Sequence, residues 1–428
     1  MWLSSLIGQI IGPIGPIGPI KSADPSDPSD PSDPSDPSDQ VDEPSPAGGI
    51  CSMREYKLSV VGLGHRGRFM FKQFCRCLPG VVGVAACDLR PELFYEDSHG
   101  AGGDNPAMAK LFPDAVFYDD FDAMLDKAQP DVVLVETPAR CHAEFCAKAL
   151  ARNIHVYSDI PSVASSAEAD MLWDAQKRSQ ALLMTGATTC GYGFVLKLQE
   201  LWRQGLLGKP YQREAEYIHD CRYLWKETPW RLPSADKPGP ISYCTHSLGP
   251  LLSILDEDLR SVVCVDTGSH ISGEPYAHDA QIALYQTPSN VVVRQTCSFI
   301  THGPQGHSYK VYGTKGYFER LNKRGPIPEQ VLFKSTDEPW NDQLQAIAVG
   351  TKPDGLDAML PKDLQGSLGH GGADEYLAFT FINALRNGAK QAPIDLRAGL
   401  RMTLPGIFAG ESARLGGKPV EITYPWDK

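Results

Sequence analysis

The sequence predicts an α/β protein. A doubly wound parallel sheet of Rossmann type comes first, followed by an α+β domain with an open-faced antiparallel sheet. Three observations carry this. A glycine motif, Gly62-x-Gly64-x-x-Gly67, closes a short apolar strand and opens a helix. Apolar runs alternate with helical patterns from there to Thr185. Beyond Gly186 the pattern turns to polar–apolar alternation, the period of strands with one covered face.

The first strand runs from Tyr56 to the glycine turn, after which Met70, Phe74 and Leu78 recur every four residues on one helical face. A second apolar run, Val81 to Cys87, ends in Asp88, 21 residues past Gly67. Strand, turn, helix, strand and acid together are the context of a dinucleotide site. A side chain at Gly62 would block the turn, and one at Gly64 would hold the backbone off a pyrophosphate. Gly67 lets the helix pack close, with its N-terminal N–H groups toward the phosphates. Asp88 would accept hydrogen bonds from the ribose hydroxyls and repel a 2′-phosphate, which predicts NAD as cofactor. Arg90, two residues on, softens that preference and leaves NADP open. His65 and Arg66, within the turn, belong to the same candidate set.

The alternation continues with strands at 115–118, 132–136, 154–158 and 182–185, and helices at 120–127, 142–152 and about 165–180. Ser165-x-x-Glu168 reads as a capping box opening the last of these. Thr137 and Pro138, then Asp159 and Pro161, fall at the carboxyl ends of strands, where ligands of open α/β sheets bind. With His142 on the following helix, they complete the candidate cofactor residues. The second half predicts a helix at 195–204, strands at 211–219, 281–285, 291–299 and 308–312, and a turn at Thr314-Lys315-Gly316. Helices at about 374–386 and 396–415 and a short strand at 420–424 close it. The domains are therefore expected at 54–185 and 186–428.

The chain has 428 residues, 42% hydrophobic and 21% charged, enough to bury the cores of two ordinary domains. A net charge of -12 removes the basic surface that a phosphate backbone requires, so no nucleic-acid partner is expected. Residues 1–53 read as a disordered, low-complexity extension: Gly-Pro-Ile repeats from Gly12 to Ile20, then five Asp-Pro-Ser triplets from Asp24 to Ser38. Proline at that density breaks a membrane-spanning helix, and no basic residue precedes the apolar stretch as in a secretory signal. No membrane partner and a cytoplasmic location follow as expectations. The eleven scattered cysteines lack C-x-x-C spacing and suit a reducing compartment. No metal site is expected, since His302 and His307 lie in a Gly/Pro loop with no carboxylate between them.

Together, Gly62-Leu63-Gly64-His65-Arg66-Gly67, Thr137-Pro138, Ser158-Asp159-Ile160-Pro161 and a following sheet domain resemble the glucose-fructose oxidoreductase/inositol dehydrogenase/MocA (Gfo/Idh/MocA) family. The likeness covers about residues 54–428. It implies oxidation or reduction of a sugar or polyol carbon with NAD or NADP, between a Rossmann domain and a sheet domain. Family dehydrogenases usually carry Glu-Lys-Pro where this chain has Asp159-Ile160-Pro161, and an aspartate where it has Ser242. The segment Ser242-Tyr243-Cys244-Thr245-His246-Ser247-Leu248-Gly249-Pro250 is instead similar to NAD-dependent α-N-acetylgalactosaminidase-type glycoside hydrolases. Cys190-Gly191-Tyr192-Gly193 and Gly369-His370-Gly371-Gly372-x-Asp374 add to that likeness.

The resemblance implies proton transfer by His246 and Tyr243, a second acid/base position at Tyr192, and Asp159 at the nicotinamide end. Bland alternatives stand beside these: a histidine capping a helix near Ser247, a tyrosine wedged between domains, and His370 and Asp374 as helix caps. Rings and cations cluster in Tyr217-x-His219-x-x-Arg222-Tyr223-x-Trp225 through Trp230-Arg231, suited to stacking on sugar faces or to a subunit interface. The expected partner is a small sugar or glycoside, with a homo-oligomer through the sheet domain possible. Three readings remain: an oxidoreductase, a glycosidase that recycles tightly bound NAD, and a non-catalytic sugar sensor.

Overall fold

The computed structural model describes residues 54–97, 106–228, 231–234, 237–336, 343–362 and 368–428. The expected extension at 1–53 and the ring of Trp230 lie outside them. Strands are numbered throughout, and helices where they have eight or more residues.

The first sheet has six parallel strands: β1 (Tyr56–Val61), β2 (Val81–Cys87), β3 (Val116–Tyr118), β4 (Val132–Val135), β5 (His155–Ser158) and β6 (Leu183–Thr185). Their order is β3-β2-β1-β4-β5-β6, so the chain reverses direction across the sheet between β1 and β4. Helices α1 (His65–Cys77), α2 (Phe121–Ala128), α3 (Ala139–Ala151) and α4 (Ser166–Arg178) connect them. Continuous apolar runs form the inner strands because helices cover both faces; all four residues of β4 are buried. Ser165 Oγ accepts from Glu168 N at 3.2 Å, while the Glu168 carboxylate reaches back one residue farther, to Ala164 N at 2.7 Å.

After α5 (Gly193–Arg203) comes a nine-stranded sheet: β7 (Pro210–Ile218), β8 (Ser261–Asp266), β9 (Ala280–Gln286), β10 (Val292–Ser298), β11 (Gly306–Gly313), β12 (Gly316–Leu321), β13 (Gln330–Ser335), β14 (Gln345–Ala346) and β15 (Val420–Glu421). Their order is β14-β13-β12-β11-β7-β10-β9-β8-β15. The expected antiparallel sheet is mixed at one place, since β7 and β10 pair in parallel. A long excursion through α6 (Thr245–Leu252), β8 and β9 separates them in sequence, which is what parallel pairing requires. Covered positions alternate with exposed ones along β9, where Ala283 and Tyr285 are buried and Ile282 and Leu284 are exposed.

Two later helices close the molecule, α7 (Ala373–Arg386) and α8 (Leu396–Arg414). Helix α7 returns to the first sheet: Phe381 packs 6.0 Å from Tyr157, and Tyr157 lies 5.2 Å from Phe74 of α1, centroid to centroid. That return brings the start of α7 to the start of α1, beside the glycine turn. No helix among the described residues is long and apolar enough to cross a membrane.

Candidate active site

The glycine turn has the shape its composition predicts. Gly62 has φ +91°, and a Cβ there would stand 2.7 Å from the Glu136 carbonyl oxygen. A Cβ on Gly67 would stand 1.8 Å from the Gly62 carbonyl oxygen, so only glycine lets α1 begin where it does. Gly64 has nothing within 4 Å on that side, leaving room for a bulky group against the backbone. Asp88 Oδ2 accepts from Leu63 N at 2.7 Å and Oδ1 from Arg90 N at 3.0 Å, which pins the acid at the end of β2 beside the turn. The Arg90 guanidinium lies 3.9 Å from the same carboxylate, largely exposed. Tight turn, open backbone edge and anchored acid fit a dinucleotide.

His65 is exposed on the first turn of α1. Arg66 beside it points into the protein and makes a bidentate pair with Asp374 at the start of α7, both contacts 2.8 Å. It also lies 3.5 Å from Asp159 at the end of β5 and donates to Thr188 Oγ1 at 3.2 Å. Asp374 is fully buried and takes two further contacts, from Thr188 Oγ1 at 3.0 Å and His370 Nδ1 at 2.8 Å. Burial alone would raise its pKa, but the Arg66 charge and these bonds overcome that and hold the carboxyl far below its ordinary range. Asp374 thus caps nothing; it joins the two halves of the fold through Arg66.

Thr137 and Pro138 follow β4, with the Thr137 hydroxyl buried and without a partner. His142 on α3 is buried, with Nε2 2.5 Å from the Thr137 carbonyl oxygen and Nδ1 2.9 Å from that of Pro161. Its nitrogens therefore tie together the turns after β4 and β5. The Ile160–Pro161 bond is cis.

From the other side come the rings of the second sheet. His307 on β11 stands directly across from Tyr217 on β7, centroids 4.9 Å apart and planes 25° from parallel. His246, in the first turn of α6, stacks on Tyr217 at 5.0 Å and 21°, and lies 5.7 Å from His307. Tyr243 meets His246 edge-on at 5.2 Å, and Tyr192 stacks on His307 at 6.0 Å. A buried network fixes that first turn. Tyr309 donates to the His246 carbonyl oxygen at 2.6 Å, and Gln295 Nε2 donates to Ser247 Oγ at 2.8 Å while its Oε1 accepts from Tyr285 at 2.6 Å.

Burial, reinforced by His307, His370 and Arg66, holds His246 neutral far below its ordinary pKa. Burial likewise brings His307 down to about 3 and lifts the Tyr192 phenol to about 12. Tyr243 is raised further by burial and by Asp159. Ile160, next to Asp159, belongs to the apolar cluster against which Tyr243 packs, so the end of β5 and the ring cluster are neighbours.

Sequence reasoning missed Glu136 and His307 here, while Tyr217 it singled out with the aromatic stretch that follows. For Glu136 the signal was its place beside Thr137 at a strand end. His307, expected in a Gly/Pro loop, lies on β11, and its place beside Tyr217 depends on strand register, which leaves no local signal. In the aromatic stretch after β7, Arg222 pairs with Asp220 and Tyr223 is exposed.

A model described as an oxidoreductase family with an NAD-binding Rossmann fold matches residues 58–187. The C-terminal-domain model of the same family matches residues 195–319, and the two cover more than half of the chain. The chain belongs to the Gfo/Idh/MocA family. Its first domain is thus an NAD-binding Rossmann domain, and the family is one of oxidoreductases. Relatives include proteins named glycosyl hydrolase family 109: one from Porphyromonas gingivalis, 24% identical over 395 residues and covering 79% of this chain and 77% of the relative. Another, from Bacteroides fragilis, is 25% identical over 380 residues, covering 79% and 78%. Among solved structures, levoglucosan dehydrogenase in complex with NADH and levoglucosan aligns with TM-score 0.68 at 17% identity, covering 86% of this chain and all of that one. The myo-inositol 2-dehydrogenase of Lactobacillus plantarum aligns with TM-score 0.64 at 17% identity, covering 86% and 100%. At that identity the likeness shows the fold alone.

Proposed function

We propose that the protein oxidises and reduces a carbon of a sugar, polyol or glycoside by hydride transfer, with His246 as the proton-transfer base. The observation that carries this is His246 itself: neutral, stacked on Tyr217, with a buried ring nitrogen that has no partner in the protein, in the cleft that also holds Arg66 and Asp159. Bound NAD supplies the hydride acceptor and donor. The chain's part is to hold the sugar and move the proton, since a hydroxyl expels hydride readily only as its proton leaves. In this reading, Gly62, Gly64, His65, Gly67 and Asp88 hold the dinucleotide in residues 54–185, and Arg66, expected among them, instead braces the site through Asp374 and Asp159. Thr137, Pro138, Asp159 and Pro161, the two turns braced by His142, shape its nicotinamide end. Residues 186–428 present the sugar.

A second reading is favoured by the relatives named glycosyl hydrolases and by Tyr192 beside His307. Oxidation at C3 makes the C2 proton acidic, the C1 group is eliminated, water adds, and the ketone is reduced back, so that the net reaction is hydrolysis. Tyr192, with its phenol held protonated, would give its proton to the departing oxygen. Two further points belong to the proposal. No disulfide joins any of the ten described cysteines, in keeping with the cytoplasm. Val265, Ile282, Leu284 and Val292 lie exposed on one face of the second sheet, in keeping with a homo-oligomer contact there.

The test follows reduced nicotinamide and nitrophenol together, with added NAD+ and a panel of free sugars and nitrophenyl glycosides. Reduced cofactor accumulating on a free sugar is the expected result. Nitrophenol release that needs NAD+ but leaves no reduced cofactor selects the second reading, and silence in both channels contradicts both.

A further inference from the structure

Glu136 follows the last residue of β4, and nothing described so far gives it a task. Its backbone oxygen forms the wall against which the Gly62 turn is pressed, and its Cβ lies where a Cβ on Gly67 would come within 3.1 Å. The residue is 8% exposed, and both carboxyl oxygens are closed off from solvent with no donor from a neighbouring residue; the Asp159 carboxyl lies within hydrogen-bonding reach, a contact two carboxyls make only when one of them is protonated. The charged groups facing it come from three elements: Arg66 from α1, Asp159 from the end of β5, and Asp374 from α7. The phenol of Tyr157 on β5, buried and without a partner, lies within reach of the same charges. Arg66 is already committed, bidentate to Asp374 and 3.5 Å from Asp159. A third carboxylate would have neither a cation nor a donor of its own, a costly arrangement in a buried place. Burial, then the Asp159 charge, push the Glu136 carboxyl well above its ordinary range.

We propose that Glu136 carries a proton in the cofactor-free protein, releases it when the positively charged oxidised nicotinamide binds, and keeps it when the uncharged reduced ring binds. The step breaks only the carboxyl O–H bond; the proton passes to the buffer and no electrons move. Asp159 and the departed proton's carboxylate then balance the cationic ring, while Arg66 stays with Asp374. In the reduced state the acid is reprotonated, so each turn of the cofactor between its two forms carries a proton through Glu136. This inference rests on the reading that the ends of β4 and β5 hold the nicotinamide, but it asks nothing about which sugar is used.

The test is calorimetry of NAD+ and of NADH binding to the full chain in two buffers of different ionisation enthalpy. NAD+ is expected to release close to one proton near neutral pH and NADH almost none. NAD+ affinity should accordingly rise with pH, by up to about tenfold per unit, while NADH affinity stays flat, because the proton and the oxidised ring compete. Glu136→Gln, which imitates the protonated acid, should abolish the release and weaken NAD+ by about tenfold or more while sparing NADH. Equal proton exchange for the two cofactor forms, or release that persists in the variant, overturns the inference and leaves the cofactor site standing. Failure of the wild-type protein to bind either form overturns both. If the variant does not fold, the pH dependence of the wild-type protein decides alone.

Discussion

In the proposed function His246 is the proton-transfer base, and its replacement by Asn should lower kcat by about 10²- to 10⁴-fold, the range for a lost acid–base group, with NAD+ affinity unchanged. Steady-state kinetics beside a cofactor titration check this. Because burial first, then His307, hold this imidazole neutral far below its ordinary range, the base form persists into acid. The rate should fall only as pH drops through that depressed value, well under about 6.5, and the pH profile of kcat/KM reads it directly. Asp374→Asn removes the carboxylate 2.8 Å from Arg66 and leaves that cation Asp159 at 3.5 Å, which should cost about 1–3 kcal/mol, measured by urea unfolding. At this scale the sequence showed chemistry through local motifs. Gly62 and Gly67 were legible because spacing along the chain determines the turn they form, whereas His246 was a candidate through the family resemblance. The pairing of Arg66 with Asp374 was not legible, because 308 residues separate the partners and no local pattern links them.

Helix α6 is short, and its first turn depends on a polar network rather than on its own caps: Gln295 is fully buried and joins Tyr285 to Ser247. Gln295→Leu leaves both hydroxyls short of a partner, which should cost about 1–3 kcal/mol and lower kcat through His246 while NAD+ affinity holds. Thermal unfolding, kinetics and the cofactor titration together read the three effects. The Rossmann elements could be read with small shifts at their ends, because each buried strand is an unbroken apolar run and each helix an amphipathic one. In the second sheet β8, β13 and β14 went unread, and β12 was implied by the turn at Thr314-Lys315-Gly316 alone. Leu284 and Val265 show the reason: on a sheet with one uncovered face, apolar residues also stand outside, and alternation blurs. The parallel pairing of β7 with β10 is set by the path of the intervening chain, which no pattern within either strand records.

Over the whole molecule the candidate site is a seam: Asp159, Arg66 and Asp374 beside the parallel sheet on one side, the neutral imidazoles of His246 and His307 and the phenols of Tyr192 and Tyr243 beside the mixed sheet on the other. That seam makes acid a specific threat. His246 and His307 bind protons in the unfolded chain near their ordinary pKa of about 6.5 but resist them when folded, His307 down to about 3. Their lowered values mean stability is full above about pH 6.5 and drains as pH falls toward the folded values. Melting temperature should therefore decline between about pH 6.5 and 4, and less steeply in His307→Phe, which has no imidazole there to protonate on unfolding. The change from a parallel to a mostly antiparallel sheet was legible from the change of period near residue 186; that α7 returns to pack beside α1 was not, since nothing in its sequence names its partner. The central claim is hydride transfer between a sugar carbon and the nicotinamide, and isotope tracing tests it most directly. A sugar or glycoside deuterated at the oxidised carbon is incubated with the protein and NAD+, and the cofactor is recovered for mass spectrometry. The account predicts deuterium on the reduced nicotinamide, or, if the cofactor is recycled, deuterium returned to the same carbon beside solvent exchange at its neighbour. Product formed with neither mark would contradict it.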